Sequence, residues 1–422
     1  MSVPDWMSQG YPHIWLPYTQ MQTAAPPLAV VRSEGSRLTL ADGRSLIDGV
    51  ASWWTACHGY NHPHIAQAVA AQLQAMPHVM FGGMVHEPAL RLAQRLADCL
   101  GPGLDRVFYT DSGSVAVEVA MKMALQFWMN QGRAERRRFL SFRGGYHGDT
   151  FGTMAVCDPE EGMHSAFRGM LIEHVQADLP RDEASLKALR ACLEREAAGL
   201  AGIVLEPLVQ GAGGMLMHEP QVLRDLRALA DEFDLLLIFD EIFTGFGRTG
   251  TMFAFEQAGV RPDIITLSKA LTGGTLPLAA TVASERIFEG FLSEQAGHAL
   301  MHGPTFMGNA LACAAANASL DLFEREPRLA QVQAIEAGLR QGLAPCAALP
   351  WVTDVRVMGA IGAVELPAIV DLVALKRRLV EAGVWVRPFG RIVYLTPAFT
   401  ITPDELAQLT AAVCQVLAQG AP

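Results

Sequence analysis

The chain has 422 residues, of which half are apolar and only 18% are charged, and its formal net charge is −11 at pH 7. This length exceeds one typical core, so we expect a globular protein with one large domain and a smaller one. The negative charge argues against nucleic acid or an anionic membrane as the main partner, because both favour a basic surface, and leaves small molecules as the expected ligands.

The cysteines and the N-terminal stretch indicate the cellular compartment that we expect for the protein. The seven cysteines are scattered and contain no CxxC pair, which argues against a disulfide framework and against a cysteine zinc site. The first fifteen residues lack a basic segment followed by an apolar core, and the longest apolar runs are strand-sized. We therefore expect a cytoplasmic protein with reduced thiols, no export signal and no membrane span.

From about residue 51 to 320, predicted strands alternate with predicted helices, which is typical of an α/β protein with a mainly parallel sheet covered on both faces. In chain order we predict a strand at 106–111, a helix at 115–130, strands at 137–142 and 201–207, a helix at 221–234, and strands at 235–241, 263–269 and 276–284. Polar residues follow four of the apolar runs: Asp111, Glu206, Asp240 and Lys269. In an open α/β sheet these residues should converge on one crevice.

After about residue 320 the pattern changes. We predict a helix at 330–343, a strand pair at 352–366, a helix at 370–383, a strand at 391–397, and a last helix opened by a capping box from Thr402 to Glu405. We therefore expect three parts: an N-terminal segment (1–50) that joins the small domain, a large domain (51–320) and a small α+β domain (321–422).

Four sequence features are candidates for chemistry. Lys269 lies at the end of an apolar strand, where a partly desolvated amine could form an imine with an aldehyde, although a surface lysine is the alternative. Asp240 could pair with a pyridinium nitrogen or merely cap a turn. The segment 111–114 could bind phosphate at a helix N-terminus or act only as an N-cap. Tyr146 and His147 offer aromatic faces to a planar cofactor.

Two competing motifs are less convincing. Residues 245–250 match GxGxxG, but the glycines do not lead directly from a strand into a helix, as a dinucleotide site requires. His58, His62 and His64 have metal-like spacing, but no acidic partner is near, so a turn with structural histidines is favoured. We predict no metal site.

Three stretches together resemble the class III aminotransferases, which are pyridoxal-phosphate (PLP) enzymes similar to ornithine aminotransferase. These are FDEIFTGFGRTG (239–250), DIITLSKALTGG (263–274) and HGPTFMGNALACAAA (302–316). The order of Asp, Lys and a Thr-bearing loop is specific, and the resemblance spans nearly the whole chain. It implies an aspartate-aminotransferase-like fold (fold type I), with a mainly parallel sheet in the large domain, PLP as cofactor and an active homodimer.

Within that family, other stretches resemble members that use S-adenosyl-L-methionine as amino donor and 8-amino-7-oxononanoate as acceptor, giving 7,8-diaminononanoate in biotin synthesis. The most informative are HIWLPYTQM (13–21), DGVASWWTACHGYNHP (48–63) and VWVRPFGRIVYLTP (384–397). Another donor such as lysine, or an ω-amino acid substrate, is the nearest alternative. A PLP-dependent isomerase or regulator is the more distant one, and the sequence has no basic DNA-binding module. Phe243 stands where we expect a small residue, so it should reshape the pocket wall.

The resemblance also implies roles for the cofactor-binding residues. Lys269 would hold PLP as a Schiff base, Asp240 would bind the pyridine nitrogen and Tyr146 would stack on the ring. The phosphate would be bound by Gly113 and Ser114, assisted by Pro304 and Thr305 from a second subunit.

The same resemblance implies a substrate pocket, which Tyr146 and Lys269 would share with six further residues: Tyr18, Trp53, Trp54, Gly303, Arg387 and Tyr394. Arg387 would donate two parallel hydrogen bonds to the carboxylate of the keto acid, with a surface ion pair as the alternative. The paired tryptophans could pack a methylene chain and also face an adenosyl sulfonium.

Overall fold

The structure is a computed structural model that describes residues 4–160 and 164–420. Its strands are β1 (Val30–Glu34), β2 (Arg37–Leu40), β3 (Ser45–Asp48), β4 (Arg106–Thr110), β5 (Arg138–Phe142), β6 (Val175–Ala177), β7 (Leu200–Leu205), β8 (Val209–Gln210), β9 (Leu216–Met217), β10 (Leu236–Asp240), β11 (Ile264–Leu267), β12 (Ala279–Ala283), β13 (Asp354–Met358), β14 (Ile361–Glu365), β15 (Val384–Trp385) and β16 (Ile392–Leu395).

The helical segments are α1 (Asp5–Gly10), α2 (Ala51–Trp54), α3 (Pro63–Ala75), α4 (Glu87–Leu100), α5 (Gly113–Asn130), α6 (Phe151–Val156), α7 (Glu183–Glu196), α8 (Pro220–Glu232), α9 (Glu285–Glu289), α10 (Ala310–Arg325), α11 (Arg328–Leu343), α12 (Leu372–Glu381) and α13 (Pro403–Ala418). Short 3-10 helices include Ala254–Ala258 and Lys269–Thr272. Among the described residues, no helix combines the length and apolar character needed to cross a membrane.

A seven-stranded sheet of order β4-β12-β11-β10-β7-β5-β6 forms the centre of the fold. The pairings from β11 through β10, β7 and β5 to β6 are all parallel. Only β12 runs antiparallel to both of its neighbours. The predicted mainly parallel sheet is confirmed, and every strand predicted between residues 106 and 284 is present.

Both faces of this sheet are buried, because successive strand residues point to opposite faces. Along β10, Leu236 and Ile238 belong to an apolar cluster that includes Phe127 of α5. Their neighbours Leu237 and Phe239 belong to the main core, which contains residues of α4 and α8. The apolar run at 235–239 is therefore continuous because it packs against helices on both sides.

Two smaller sheets lie outside the central one. The four-stranded sheet β1-β2-β3-β15 pairs β15 with β3, so N-terminal strands contact the last hundred residues of the chain. Strands β13, β14 and β16 form an antiparallel sheet, and α13 begins with the predicted capping box of Thr402 and Glu405. The division of the chain at residues 50 and 320 stays a prediction.

The segment α2 (Ala51–Trp54) is a single turn of left-handed backbone. Its four residues have φ angles of 44°, 47°, 56° and 72°. The carboxylate of Asp48 holds the turn and accepts the backbone N–H of Ser52 at 3.1 Å. The side chain of Trp54 is buried, whereas that of Trp53 is 36% exposed. The turn therefore presents two adjacent indoles in different surroundings.

Candidate active site

One cavity collects the polar residues that follow three of the parallel strands. Glu206, Asp240 and Lys269 line it, together with Gly113 and Ser114 at the start of α5. The carboxyl ends of parallel strands meet at one edge of a sheet, which explains why residues distant in the chain meet here. The expectation was wrong for one residue: Asp111 is exposed and is not among the lining residues.

The amine of Lys269 lies inside this cavity. The residue begins a 3-10 helix just after β11 and has a φ of 48°. Its Nζ is 4.7 Å from the centre of the Trp54 ring. Burial lowers the pKa of Lys269, although the negative charges of Asp240 and Glu206 act in the opposite direction. An amine with a lowered pKa is more often unprotonated and therefore a better nucleophile.

Asp240 is buried, and both of its carboxylate oxygens have hydrogen-bond partners. One carboxylate oxygen accepts the backbone N–H of Ile242 at 3.1 Å and the hydroxyl of Thr266 at 3.2 Å. The other lies 2.8 Å from Nδ1 of His147. Burial alone would lower the pKa of His147, but the hydrogen bond and the charge of Asp240 raise it above its usual value. The pair can therefore hold a proton next to the carboxylate.

Glu206 holds the loop that carries Tyr146. Its two carboxylate oxygens accept the backbone N–H groups of Tyr146 and Gly211, each at 3.0 Å. Burial raises the pKa of Glu206 to about 7. The sequence placed this residue at the end of a strand but suggested no role for it.

The N-terminus of α5 opens on the same cavity. Ser112 caps the helix, because its Oγ accepts the N–H of Val115 at 3.4 Å. A Cβ on Gly113 would lie 3.0 Å from the Ile242 side chain, and a Cβ on Gly148 only 2.2 Å from Oγ of Ser114. Glycine at both positions therefore keeps the helix end open, and helix N-termini bind anions through their free N–H groups and positive dipole end.

A hydrogen-bonded cluster lies at the mouth of the cavity. The Tyr146 hydroxyl donates to Oδ1 of Asp149 at 3.0 Å, and the Tyr18 hydroxyl donates to Oδ2 of the same carboxylate. The two hydroxyl oxygens are 3.4 Å apart. Burial, together with the hydrogen bond to Asp149, raises the pKa of Tyr18 to about 12. The Tyr146 ring stacks on His164, at 5.9 Å between ring centres. Neither Asp149 nor His164 was predicted from the sequence.

Trp54 forms an aromatic wall with two further rings. Its ring centre is 4.3 Å from that of Phe243 and 6.1 Å from that of Tyr394. Phe243 itself lines the cavity, so the bulky residue noted in the sequence does occupy the pocket wall.

Arg387 lies over the second tryptophan. Its guanidinium carbon is 4.4 Å from the centre of the Trp53 ring, and Tyr18 meets the same ring edge-on at 6.5 Å. Within residues 4–160 and 164–420, no carboxylate forms an ion pair with Arg387. Within these residues the structure thus shows no surface ion pair of the kind left open from the sequence, and the role of Arg387 stays a prediction.

Seven predicted site residues are not among those that line the cavity: Tyr18, Trp53, Gly303, Pro304, Thr305, Arg387 and Tyr394. Gly303 and Thr305 are exposed, and Pro304 between them does not line the cavity. The Thr305 carbonyl lies 3.1 Å from Nε2 of His78.

The two competing motifs have structural roles. Residues 245–250 lead into the 3-10 helix Ala254–Ala258, and Arg248 among them is buried and donates to the carbonyls of Ala360 and Pro397. His58 is buried. The expectation that no acidic partner lies near these histidines was wrong, because Nε2 of His64 is 2.7 Å from Oδ2 of Asp321 and Nε2 of His62 is 3.8 Å from Oε1 of Glu326. In the part of the chain that the structure describes, no group of three His, Cys, Asp or Glu side chains is placed to hold a metal ion.

Known proteins are similar to this chain in sequence and in fold. Residues 18–417 match the family model described as aminotransferase class-III. The adenosylmethionine-8-amino-7-oxononanoate aminotransferase of Mycobacterium leprae is 48% identical, covering 96% of this chain and 94% of the relative. That of Buchnera aphidicola from Acyrthosiphon pisum is 44% identical, with 96% of each chain covered.

Solved structures of transaminases are also similar to this chain. The enzyme of the same name from Methanocaldococcus jannaschii has a TM-score of 0.93 at 32% identity, covering 99% of this chain and 98% of its own. An amine transaminase from an uncultivated Pseudomonas species, solved in its PLP-bound form, has a TM-score of 0.88 at 33% identity, covering 96% of this chain and 98% of its own. The chain therefore belongs to the class III aminotransferase family.

Proposed function

We propose that the chain is a PLP-dependent transaminase that transfers the amino group of S-adenosyl-L-methionine to 8-amino-7-oxononanoate, giving 7,8-diaminononanoate for biotin synthesis. Relatives whose names state the adenosylmethionine and 8-amino-7-oxononanoate substrates cover nearly the whole chain. One observation carries the proposal: the amine of Lys269, the carboxylate of Asp240 and the N-terminus of α5 line one cavity.

The residues of this cavity fit PLP at three points. Lys269, with its lowered pKa, suits a covalent bond to the aldehyde, and Asp240 suits a protonated ring nitrogen. Gly113 and Ser114 at the helix N-terminus suit the phosphate. Tyr146 is the aromatic residue assigned to the ring. When bound, PLP supplies an electron sink that lets an amino group leave one substrate and join another.

The protein contributes proton transfer and positioning. Nζ of Lys269 would act as the general base that removes the proton from the carbon bearing the donor's amino group, and the same group in its protonated form would be the acid that delivers a proton to the acceptor carbon. His147 donates a hydrogen bond to Asp240 and so keeps that carboxylate oriented and charged.

Substrate binding falls to the residues at the mouth of the cavity. Arg387 pairs with the carboxylate of 8-amino-7-oxononanoate, and the Trp53 indole beneath it packs the methylene chain. The electron-rich indoles also attract the sulfonium of the donor. Tyr18 and Tyr394 complete the pocket on either side of the tryptophan pair.

The active assembly that we propose is a homodimer in the cytoplasm, in which Gly303, Pro304 and Thr305 complete the partner's site. Exposed apolar side chains flank that segment, with Met301 at 73% and Phe306 at 54% exposure. All seven cysteines are free, as expected of a reducing compartment. Light scattering should give a mass of twice 45.6 kDa, whereas a monomeric mass for active enzyme would exclude the shared site.

A class III aminotransferase with another donor, such as lysine, or with an ω-amino acid substrate is the second candidate. Phe243 favours it, because a bulky ring 4.3 Å from Trp54 occupies space where a small residue was expected. A change of donor would leave the roles of Lys269 and Asp240 intact.

Absorption spectroscopy distinguishes these proposals. The purified protein should show the band of lysine-bound cofactor, lose it with S-adenosyl-L-methionine and regain it with 8-amino-7-oxononanoate. A band that persists with S-adenosyl-L-methionine but disappears with lysine would move the assignment to the second candidate. No band after addition of PLP would overturn the cofactor assignment.

A further inference from the structure

A chain of buried hydrogen bonds reaches the residue after Lys269 from outside the cavity. Nε of Arg328 donates to Nδ1 of His58 at 2.9 Å, and Nε2 of His58 lies 3.0 Å from Oγ of Ser319. The Ser319 hydroxyl in turn donates to the carbonyl of Ala270 at 3.3 Å. Arg328, His58 and Ser319 are at most 2% exposed, and none of them lines the cavity.

The donor and the acceptor of each of these hydrogen bonds are fixed, from Arg328 to the carbonyl of Ala270. Burial, together with the charge of Arg328, lowers the pKa of His58 to about 3, so the ring is neutral near pH 7. Since Nδ1 accepts from Arg328, the single ring proton sits on Nε2 and is donated to Ser319. The hydroxyl proton of Ser319 is then left for Ala270. Glu326 and Gln331 bind the other nitrogens of Arg328 at 2.7 and 2.8 Å and so orient its Nε.

The chain ends where the backbone is strained. Lys269 has a φ of 48°, which lies in the left-handed region that is unfavourable for residues other than glycine. The Ala270 carbonyl next to it accepts the N–H of Gly273 at 2.9 Å, within the 3-10 turn, and also the Ser319 hydroxyl. A strained conformation persists only when its surroundings hold it, and Ser319 supplies such a contact one residue from the catalytic lysine.

We propose that Arg328, His58 and Ser319 form a positioning relay that holds the left-handed backbone of Lys269 and thereby directs its amine to the cofactor. This inference rests on the proposed function, because it assumes that Lys269 bonds to PLP. The three residues act through the lysine and touch neither substrate nor cofactor. They lie in three parts of the polypeptide: His58 in the loop before α3, Ser319 in helix α10, and Arg328 at the first residue of α11.

The test compares two ligands of the cofactor-free protein. PLP bonds to Lys269, whereas pyridoxamine phosphate binds the same cavity without that bond. In Ser319→Ala, the rate of covalent PLP attachment, followed by absorbance, should fall about fivefold, which corresponds to one neutral hydrogen bond of about 1 kcal/mol. The affinity for pyridoxamine phosphate should stay unchanged. In turnover, kcat should fall by a similar factor while KM for both substrates stays constant.

Two further variants sharpen the comparison. Ser319→Thr keeps the hydroxyl and should restore the rate of PLP attachment. Thr410→Val is the matched control, because Thr410 is a buried helix hydroxyl that donates to carbonyls of its own helix, Leu406 among them. It should leave PLP attachment unchanged. If Ser319→Ala does not fold, Ser319→Cys replaces it, since a thiol is a weak donor.

The outcomes are separable. A Ser319→Ala rate equal to that of the unmodified protein would overturn the relay. Equal losses of PLP attachment and pyridoxamine phosphate affinity would also overturn it, because they indicate general damage to the cavity. If the unmodified protein forms no lysine-bound cofactor at all, the proposed function fails instead.

Discussion

Replacing Arg387 with alanine tests the assignment of the acceptor's carboxylate to this side chain. The guanidinium lies 4.4 Å above the Trp53 ring and has no carboxylate partner in the described part of the chain. Within those described residues, its removal therefore breaks no ion pair. A charge-assisted hydrogen bond to a carboxylate contributes about 2 to 3 kcal/mol. We expect kcat/KM for 8-amino-7-oxononanoate to fall about 30- to 150-fold.

The assay uses the acceptor as the free acid and as its methyl ester. With the unmodified enzyme the ester should be the poorer acceptor by about the same factor, because it lacks the charge. In Arg387→Ala the acid and the ester should become nearly equal. Arg387→Lys should fall between, since it keeps the charge but loses the planar fork. If the alanine variant still prefers the acid to the full extent, the carboxylate binds elsewhere and the assignment is wrong.

Four other predictions concern the interior. Lys269→Ala should reduce turnover by at least about 10²-fold, because the general base is lost. In stopped-flow absorbance measurements, the spectral change that depends on proton transfer should be absent. Asp240→Asn should lower the free energy of unfolding of the cofactor-free protein by about 1 to 3 kcal/mol in urea titrations, because a buried charged hydrogen bond is lost. Phe243→Ala should cost about 3 kcal/mol by the same assay and raise kcat/KM for bulkier donors relative to S-adenosyl-L-methionine, since space opens beside Trp54. Burial raises the pKa of Glu241 from 4.5 to about 7; the folded state then binds more protons than the unfolded state, so stability should fall as pH rises from 4.5 to 7, and Glu241→Gln should flatten that fall.

The central sheet could be predicted because parallel strands that are buried on both faces have continuous apolar sequences. The run at 235–239 corresponds to β10, whose five residues are all buried. Lys269 and Asp240 could be placed near each other for the same reason, since both follow neighbouring parallel strands. The direction of β12 could not be predicted, because an apolar run does not reveal which way a strand is paired.

Contacts between distant parts of the chain were beyond sequence reasoning. His147 meets Asp240 across 93 positions, and Tyr18 meets Asp149 across 131. The tertiary fold brings these side chains together, and no local sequence pattern records it. The left-handed turn at Ala51–Trp54 was equally unpredictable, because it contains no glycine or asparagine that would indicate positive φ.

That turn limits how the pocket can be redesigned. Each residue in a left-handed conformation carries about 1 to 2 kcal/mol of steric cost, which the contacts of Asp48 help to offset. Branching at Cβ worsens the clash, so valine or isoleucine at position 53 or 54 would strain the main chain as well as remove an indole. Glycine and asparagine relieve the backbone clash, and we expect them to be accepted more readily at position 53, which is 36% exposed, than at the buried position 54, where loss of the indole leaves a cavity. In a library of variants at these two positions, the left-handed backbone would therefore first determine which variants fold stably. Substrate preference would distinguish only the variants that remain.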